Sequence, residues 1–354
     1  MKISTTLTIK DIALALNLST ATVSRALQDS YKISEETKKR VKEFAALHNY
    51  EPNLFAQSLR SHKSKSIGVM LCSIPNHFFS EVISGIESTA ITNNYHVIIT
   101  QSHESIEREI QNLAFLSKRN VDGFLVSVST ETTNYDHFKE VLANNIPIVF
   151  FDRTAELENV HKVSSQNADA SYKATKHLIE NGYTKIANIT SSHQISITKE
   201  RTNGYLKALE DCNIPLNENY IKYCTHGGMI EEEISKAIDE LLQCPEKPDA
   251  IITASDRLTL YTLTELKKRN IKIPHELAVV GFTNFQSPEL FCPPLTTIKQ
   301  AAFEMGKISA ELLIKEISKK RRSKYFENII LPCELATRES SAPKTFRKKF
   351  RKIH

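Results

Sequence analysis

The stretch LSTATVSRAL, residues 18–27, decides how the first fifty residues fold. Ser19 is a good N-cap, because its hydroxyl can accept from a backbone N–H of the first turn. Val23 and Leu27 then fall on one helical face, and Thr20, Ala21, Ser24 and Arg25 take the polar side. Just upstream, in TIKDIALALN (8–17), Thr8 and Asp11 stand in the T-x-x-D relation of a capping box. Ile9, Ile12, Ala13 and Leu16 follow at helical spacing, and Asn17 suits a left-handed turn residue. Ser34 caps a third helix with Glu35 and Glu36 in its first turn, where the helix dipole favours acids. Its apolar positions are Val41, Phe44, Ala45 and Leu47. Two short helices with a tight turn and a third closing the core make an all-α helix-turn-helix head.

The polar side of the second helix suits a nucleic acid. Small residues let the helix approach the floor of the major groove, and an Arg can donate two hydrogen bonds to a guanine. A three-helix module that binds protein has the same spacing and competes with this reading. Residues 52–60 read PNLFAQSLR. Pro52 stops the third helix and Asn53 can cap a short one holding Ala56 and Leu59. Such a helix is too short to stand alone in water, but it could form on DNA, where a Leu wedges into a minor-groove step. An ordinary linker with Leu59 packed on the body is the alternative. Charge adds to the case. Residues 1–66 hold eleven Lys and Arg against six Asp and Glu. The tail 344–354 has six basic residues and no acid. With a net charge of +5 over the chain, the middle carries −6, so only part of the protein is suited to a polyanion.

TIKDIALALNLSTATVSRAL, then ISEETKKRVKEFAALHNYEPN, then AQSL ahead of SIGVML, resemble the LacI/GalR family of bacterial transcription regulators in order and spacing. The resemblance is close over residues 8–71. It implies that Ser19 to Leu27 is a recognition helix, with Thr20, Ala21 and Arg25 facing bases and Thr22 and Ser24 near phosphates. It also implies that Leu59 is a hinge wedge. The candidate DNA-binding set is therefore Thr8, Ser19, Thr20, Ala21, Thr22, Ser24, Arg25, Asn53, Ala56 and Leu59. Asn17 departs from the Gly or Ala frequent there in the family, and it fits the turn.

From Ser66 the pattern changes to short β-branched runs alternating with amphipathic helices. The runs are 66–71, 96–100, 121–128, 146–151, 185–190, 249–254 and 277–282, with helices near 79–93, 105–119, 136–144, 170–181, 200–212, 231–242 and 256–269. Strands buried on both faces between helices predict doubly wound parallel sheets, and seven such strands predict two lobes. The family resemblance, looser here, implies a body like a periplasmic sugar-binding protein. The expected division is 1–50 head, 51–65 hinge, 66–341 two-lobed body and 342–354 basic tail. Lobe 1 is expected at about 66–165 and 296–327, and lobe 2 at about 166–292 and 328–341.

A ligand is expected in the crevice outside the carboxyl ends of the strands. The candidates standing there are Phe78 and Phe79, one of which is core, then Asp152, Arg153, Arg201, Asp256 and Asn284. Planar donors and carboxylates suit vicinal hydroxyls, although an Asp opening a helix, as Asp256 does, is also an ordinary cap. In the family, Arg201 and Asp152 match typical effector contacts, and His226 falls near a position where many members place an aromatic residue on the ligand. Many members also carry an acid where this chain has Thr283–Asn284, so no particular sugar is implied.

The expectation is a DNA-binding regulator that dimerises on a near-palindromic operator and answers to a small molecule, a sugar or sugar derivative before a nucleoside, purine or protein co-regulator. Repression is the commoner habit of the family. No cofactor, metal or membrane partner is expected, and the cytoplasm is the expected place. Six scattered cysteines without a CxxC pair suggest neither zinc nor a disulfide framework. No G-x-S-x-G, P-loop, H-E-x-x-H or G-x-G-x-x-G occurs, which argues against an enzyme. A transport binding protein would lack the helical head and need an export signal, and none is read at this N-terminus.

Overall fold

Three helices build the first unit: α1 (Ile9–Leu16), α2 (Thr20–Leu27) and α3 (Glu35–Leu47). Their boundaries follow from side-chain caps at Thr8, Ser19 and Ser34, each accepting from a backbone N–H of its first turn. Asn17 ends α1 in the left-handed conformation, at φ 50° and ψ 47°. Ile12, Ala13, Val23, Ala26, Val41 and Ala45 form the buried core, with Leu7, Leu16, Leu27, Phe44 and Tyr50 packed around it. The computed structural model describes residues 7–50, 63–319, 321 and 323–344. It divides into two units, one ending at Ser64 and one beginning at Lys65. Asn53, Ala56 and Leu59 lie outside the described residues, as does the tail from 345.

The second unit holds two six-stranded sheets. The first contains β1 (Ser66–Leu71), β2 (His96–Gln101), β3 (Phe124–Val126), β4 (Ile148–Phe151), β5 (His161–Ser165) and β11 (Asn328–Leu331), in the order β11-β5-β4-β3-β1-β2. The second contains β6 (Ile186–Thr190), β7 (Ile221–Tyr223), β8 (Ala250–Thr253), β9 (Ala278–Phe282), β10 (Thr296–Gln300) and β12 (Cys333–Ala336), in the order β12-β10-β9-β8-β6-β7. The two orders are the same pattern displaced by five strands. They differ at one edge, where β11 runs parallel to β5 but β12 runs antiparallel to β10. Helices α4 (His77–Thr92), α5 (Ile106–Lys118) and α6 (Asp136–Ala143) belong with the first sheet; α7 (Asn167–Glu180), α8 (Ser196–Asp211), α9 (Glu231–Gln243) and α10 (Asp256–Lys268) belong with the second.

The expected lobe boundaries need correcting. Strand 296–300 pairs in the second sheet, not the first, and strand 328–331 pairs in the first, not the second. The chain therefore returns to the first lobe only at α11 (Ala302–Ser318), whose Ala302, Met305 and Leu313 enter the first core. Helix α11 and strands β5, β7, β10, β11 and β12 add to the elements expected from the sequence. These strands are short or carry polar residues, and periodicity is a weak signal there. Both lobes cross helices at glycine. A Cβ on Gly85 or Gly306 would meet a backbone oxygen across the α4–α11 crossing at 2.1 or 2.0 Å, and one on Gly204 would meet Ala168 O across α7–α8 at 2.0 Å.

Candidate DNA-reading face and effector cleft

On α2, Thr20, Ala21 and Arg25 are exposed on the side away from the head's core. Ser19 and Thr22 are bound up in the cap: the Ser19 hydroxyl accepts from Thr22 N at 3.1 Å and lies 2.9 Å from Thr22 Oγ1. Thr8 donates from N and Oγ1 to the Asp11 carboxylate at 2.8 and 2.6 Å, which holds that carboxyl below its ordinary range. Ser24 is half-buried. The helix thus offers two small side chains and one long cation to the outside, with its N-terminal turn fixed by hydroxyls.

In the body, three of the candidates, Asp152 and Arg153 of the first lobe and Arg201 of the second, are buried beside the carboxyl ends of strands. Asp152 follows β4 with a left-handed backbone, φ 58°, and is buried. Arg153 next to it donates from Nη1 to Glu104 Oε2 at 2.7 Å. Glu104 follows β2, also on left-handed backbone at φ 65°, and its Oε2 accepts from Thr130 N at 3.0 Å. Non-glycine residues in this region store strain, and such positions gather at functional sites. From the second lobe, Arg201 on α8 donates from Nε to Asn167 Oδ1 at 2.9 Å and from Nη1 to the Ala254 carbonyl. Its guanidinium lies over the Phe282 ring, 4.1 Å from the centroid. Burial raises the Asp152 carboxyl above its ordinary value, and the Arg201 and Arg153 charges pull against that. Burial likewise opposes the charge on Arg153, but Glu104 beside it more than restores it.

The lobes meet through a polar seam. Asp256 accepts from Phe78 N of the first lobe at 2.9 Å and from Asn284 N at 2.9 Å. Asn284 Nδ2 donates to Glu81 Oε2 across the seam at 2.7 Å, and Arg257 Nη2 donates to Ser73 Oγ at 2.9 Å. His77 and Phe285 face each other with ring centroids 4.2 Å apart. Beside this seam lies an open cavity of about 590 Å³, lined by Asn76, His77, Met229, Arg257, Tyr261 and Phe285 among others. Asp256 and Asn284 therefore serve lobe closure in this structure. Phe79 sits in the first core against Phe151, and Phe78 is buried there too. His226 does not join the cleft: it is exposed and pairs with Glu233 at 2.8 Å. Its neighbour Gly227 does, for a Cβ built there would stand 3.5 Å from Glu104 Oε1 and 4.0 Å from Arg153 Nη2.

Comparison with known proteins agrees with both halves. Residues 8–53 match the bacterial regulatory proteins of the lacI family, and residues 64–339 match the periplasmic binding proteins and sugar binding domain of the LacI family. The chain belongs to the LacI family. This LacI-family member is a DNA-binding transcriptional regulator under ligand control. It is 30% identical over 339 residues to the HTH-type transcriptional repressor PurR of Aliivibrio salmonicida, covering 94% of this chain and 98% of the relative. Among solved structures, a LacI-family regulator from Enterococcus faecium with bound ribose has TM-score 0.69 and 27% identity, covering 78% of this chain and 99% of the other. The lac repressor dimer bound to operator and the anti-inducer ONPF shares the fold, with TM-score 0.80, 22% identity and 95% and 99% coverage.

Sequence reasoning missed Glu104, Asn167, Glu81 and Arg257. Glu104 is legible in the sequence, because it stands just past the strand HVIIT, at a carboxyl end like that of Asp152. Asn167, Glu81 and Arg257 act through partners between 34 and 203 residues away, which no local pattern reveals. Among the described residues no group of His, Cys, Asp and Glu is placed to hold a metal ion, and no helix is long and apolar enough to cross a membrane.

Proposed function

We propose that the protein is a cytoplasmic repressor that binds a near-palindromic operator as a homodimer, and that a sugar or sugar derivative held between its lobes sets its operator affinity. One observation carries the ligand site: the buried Asp152–Arg153 pair follows β4 of the first lobe under Gly227 of the second, and the buried Arg201 on α8 of the second lobe reaches the Ala254 carbonyl just past β8. Arg201 and Arg153 present planar donors, and Asp152 presents an acceptor, as vicinal hydroxyls require. The ribose-bound relative supports the ligand class. On the DNA side, Arg25 reads a base, Thr20 and Ala21 let the helix sit deep, and a two-fold pair of heads doubles the length of sequence read.

Ligand alters the balance of lobe closure across the Asp256–Phe78 and Asn284–Glu81 contacts. The change reaches the segment between head and body and shifts the population able to hold DNA. Such coupling is typically about 1–3 kcal/mol and is reciprocal. The test is a thermal-shift screen of sugars, nucleosides and purine bases, followed by operator titration with and without the hit. A sugar that raises the melting temperature, and no longer does so in Arg201→Ala, supports the reading. A nucleoside or purine behaving so would replace the ligand class and keep the site. A hit indifferent to Arg201→Ala would move the site elsewhere.

A further inference from the structure

The cleft holds charges of both signs, and one ion pair, Arg153 with Glu104, joins them. Five charged side chains are buried there or at the seam beside it: Glu104, Asp152, Asp256, Arg153 and Arg201. Three are acids and two are bases. Arg153 is committed to Glu104 at 2.7 Å, and Glu104 is held in turn by Thr130 N. The pair faces the other lobe, since Gly227 closes directly over it. We propose that Glu104 is a specificity-determining residue: by neutralising Arg153 where the lobes meet, it restricts the site to an uncharged, hydroxyl-bearing ligand and turns away phosphorylated or carboxylate counterparts. The proposal rests on the reading of the cleft as the effector site.

A buried anion needs a surplus cation, because desolvating an unpaired charge is far more costly than a hydrogen bond returns. Here Glu104 consumes one guanidinium and Asp152 offsets the other. Arg257 is part-exposed at the seam, bonded to Ser73 and open to solvent screening. What remains unused is neutral hydrogen-bonding capacity. Ser102 Oγ and Ser127 Oγ, just past β2 and β3, are buried without a partner; Arg153 Nε, also without one, belongs to the guanidinium that Glu104 neutralises. A serine hydroxyl both donates and accepts, as a sugar hydroxyl does.

The experiment compares wild type, Glu104→Gln and the double variant Glu104→Gln/Arg153→Met by thermal shift and calorimetry. The probes are inorganic phosphate, ribose, ribose 5-phosphate, glucose and glucose 6-phosphate. The basic head also attracts phosphate, so a response is assigned to the cleft only when Arg201→Ala removes it. Wild type is expected to show no cleft response to phosphate or to either ester. Glu104→Gln leaves Arg153 unbalanced and is expected to gain phosphate affinity by roughly tenfold or more. The double variant removes both charges, folds, and loses that gain. Phosphate affinity unchanged in Glu104→Gln would overturn the proposal, as would a wild-type cleft that prefers an ester to its parent sugar. Ligand binding untouched by Arg201→Ala would instead overturn the cleft reading itself.

Discussion

The head and the body solve the problem of specifying structure in opposite ways. Each helix of the head is bounded by a hydroxyl three residues from its partner: Thr8 with Asp11, Ser19 with Thr22, Ser34 with Thr37. Its instructions are local, and the side chains proposed to read DNA, Thr20, Ala21 and Arg25, stand on one short helix. The cleft of the body is assembled from residues far apart in the chain. Arg153 meets Glu104 across 49 residues, and Asn284 meets Glu81 across 203. The comparison teaches where mutations should act: single changes in the head should alter DNA affinity alone, and single changes in the cleft should alter ligand response alone.

The sharpest way to break that separation is to damage the body's framework. Glu109 is fully buried in the first lobe and accepts from Ser129 N, Thr132 Oγ1 and His137 Nε2 at 2.8, 2.8 and 2.9 Å. Glu109→Ala leaves three donors without their acceptor and should destabilise the body by roughly 3 kcal/mol. Chemical denaturation should show the body's transition moving while the head's melting stays in place. If both move together, the two units are not energetically separate.

Arg201→Ala comes next. It removes a buried cation held by Asn167, the Ala254 carbonyl and the Phe282 ring. Ligand affinity should fall by about 2–4 kcal/mol, the usual cost of truncating a buried hydrogen-bonded charge, while operator affinity without ligand is unchanged. Equal losses in both assays would mean that the head reads the state of the cleft even when no ligand is bound. Arg25→Ala is the mirror experiment. It should weaken operator binding by roughly 1–3 kcal/mol and leave binding to random DNA and to ligand untouched. An equal loss on random DNA would assign Arg25 to phosphate.

The same contrast explains what the sequence disclosed. Caps and apolar spacing name the head's helices nearly to the residue, because the physical cause lies within four positions. In the body, buried β-branched runs announce the principal strands and hence two parallel sheets. They do not announce β10 or β11, whose lobe is decided by pairing with β9 and β5. Candidate cleft residues were found where they follow a recognised strand end, as Asp152 and Arg153 do. Glu104 was overlooked, and His226 was misplaced because its loop turns the imidazole outward to Glu233 while Gly227 faces the cleft. Whether Asp256 caps a helix or bridges lobes depends on Phe78, 178 residues earlier. Only a folded chain contains that information.

The smallest effect tests the most local claim. Ser19 is the N-cap of α2, and its hydroxyl serves Thr22 twice, through the backbone N–H and through Oγ1. Ser19→Ala should cost about 1 kcal/mol of head stability, the ordinary worth of such a cap. Operator affinity should fall by less than with Arg25→Ala, because the reading side chains remain while the first turn frays. Ser19→Asp restores a cap acceptor and should recover the melting temperature of the head. It also adds a negative charge at the start of α2, so if that turn lies against phosphates it should not recover DNA binding. Recovery of both would show that Ser19 only holds the helix together and that phosphate does not pass close to its start. Recovery of stability alone would place the start of α2 against the DNA backbone, with Thr20, Ala21 and Arg25 turned to the bases beyond it.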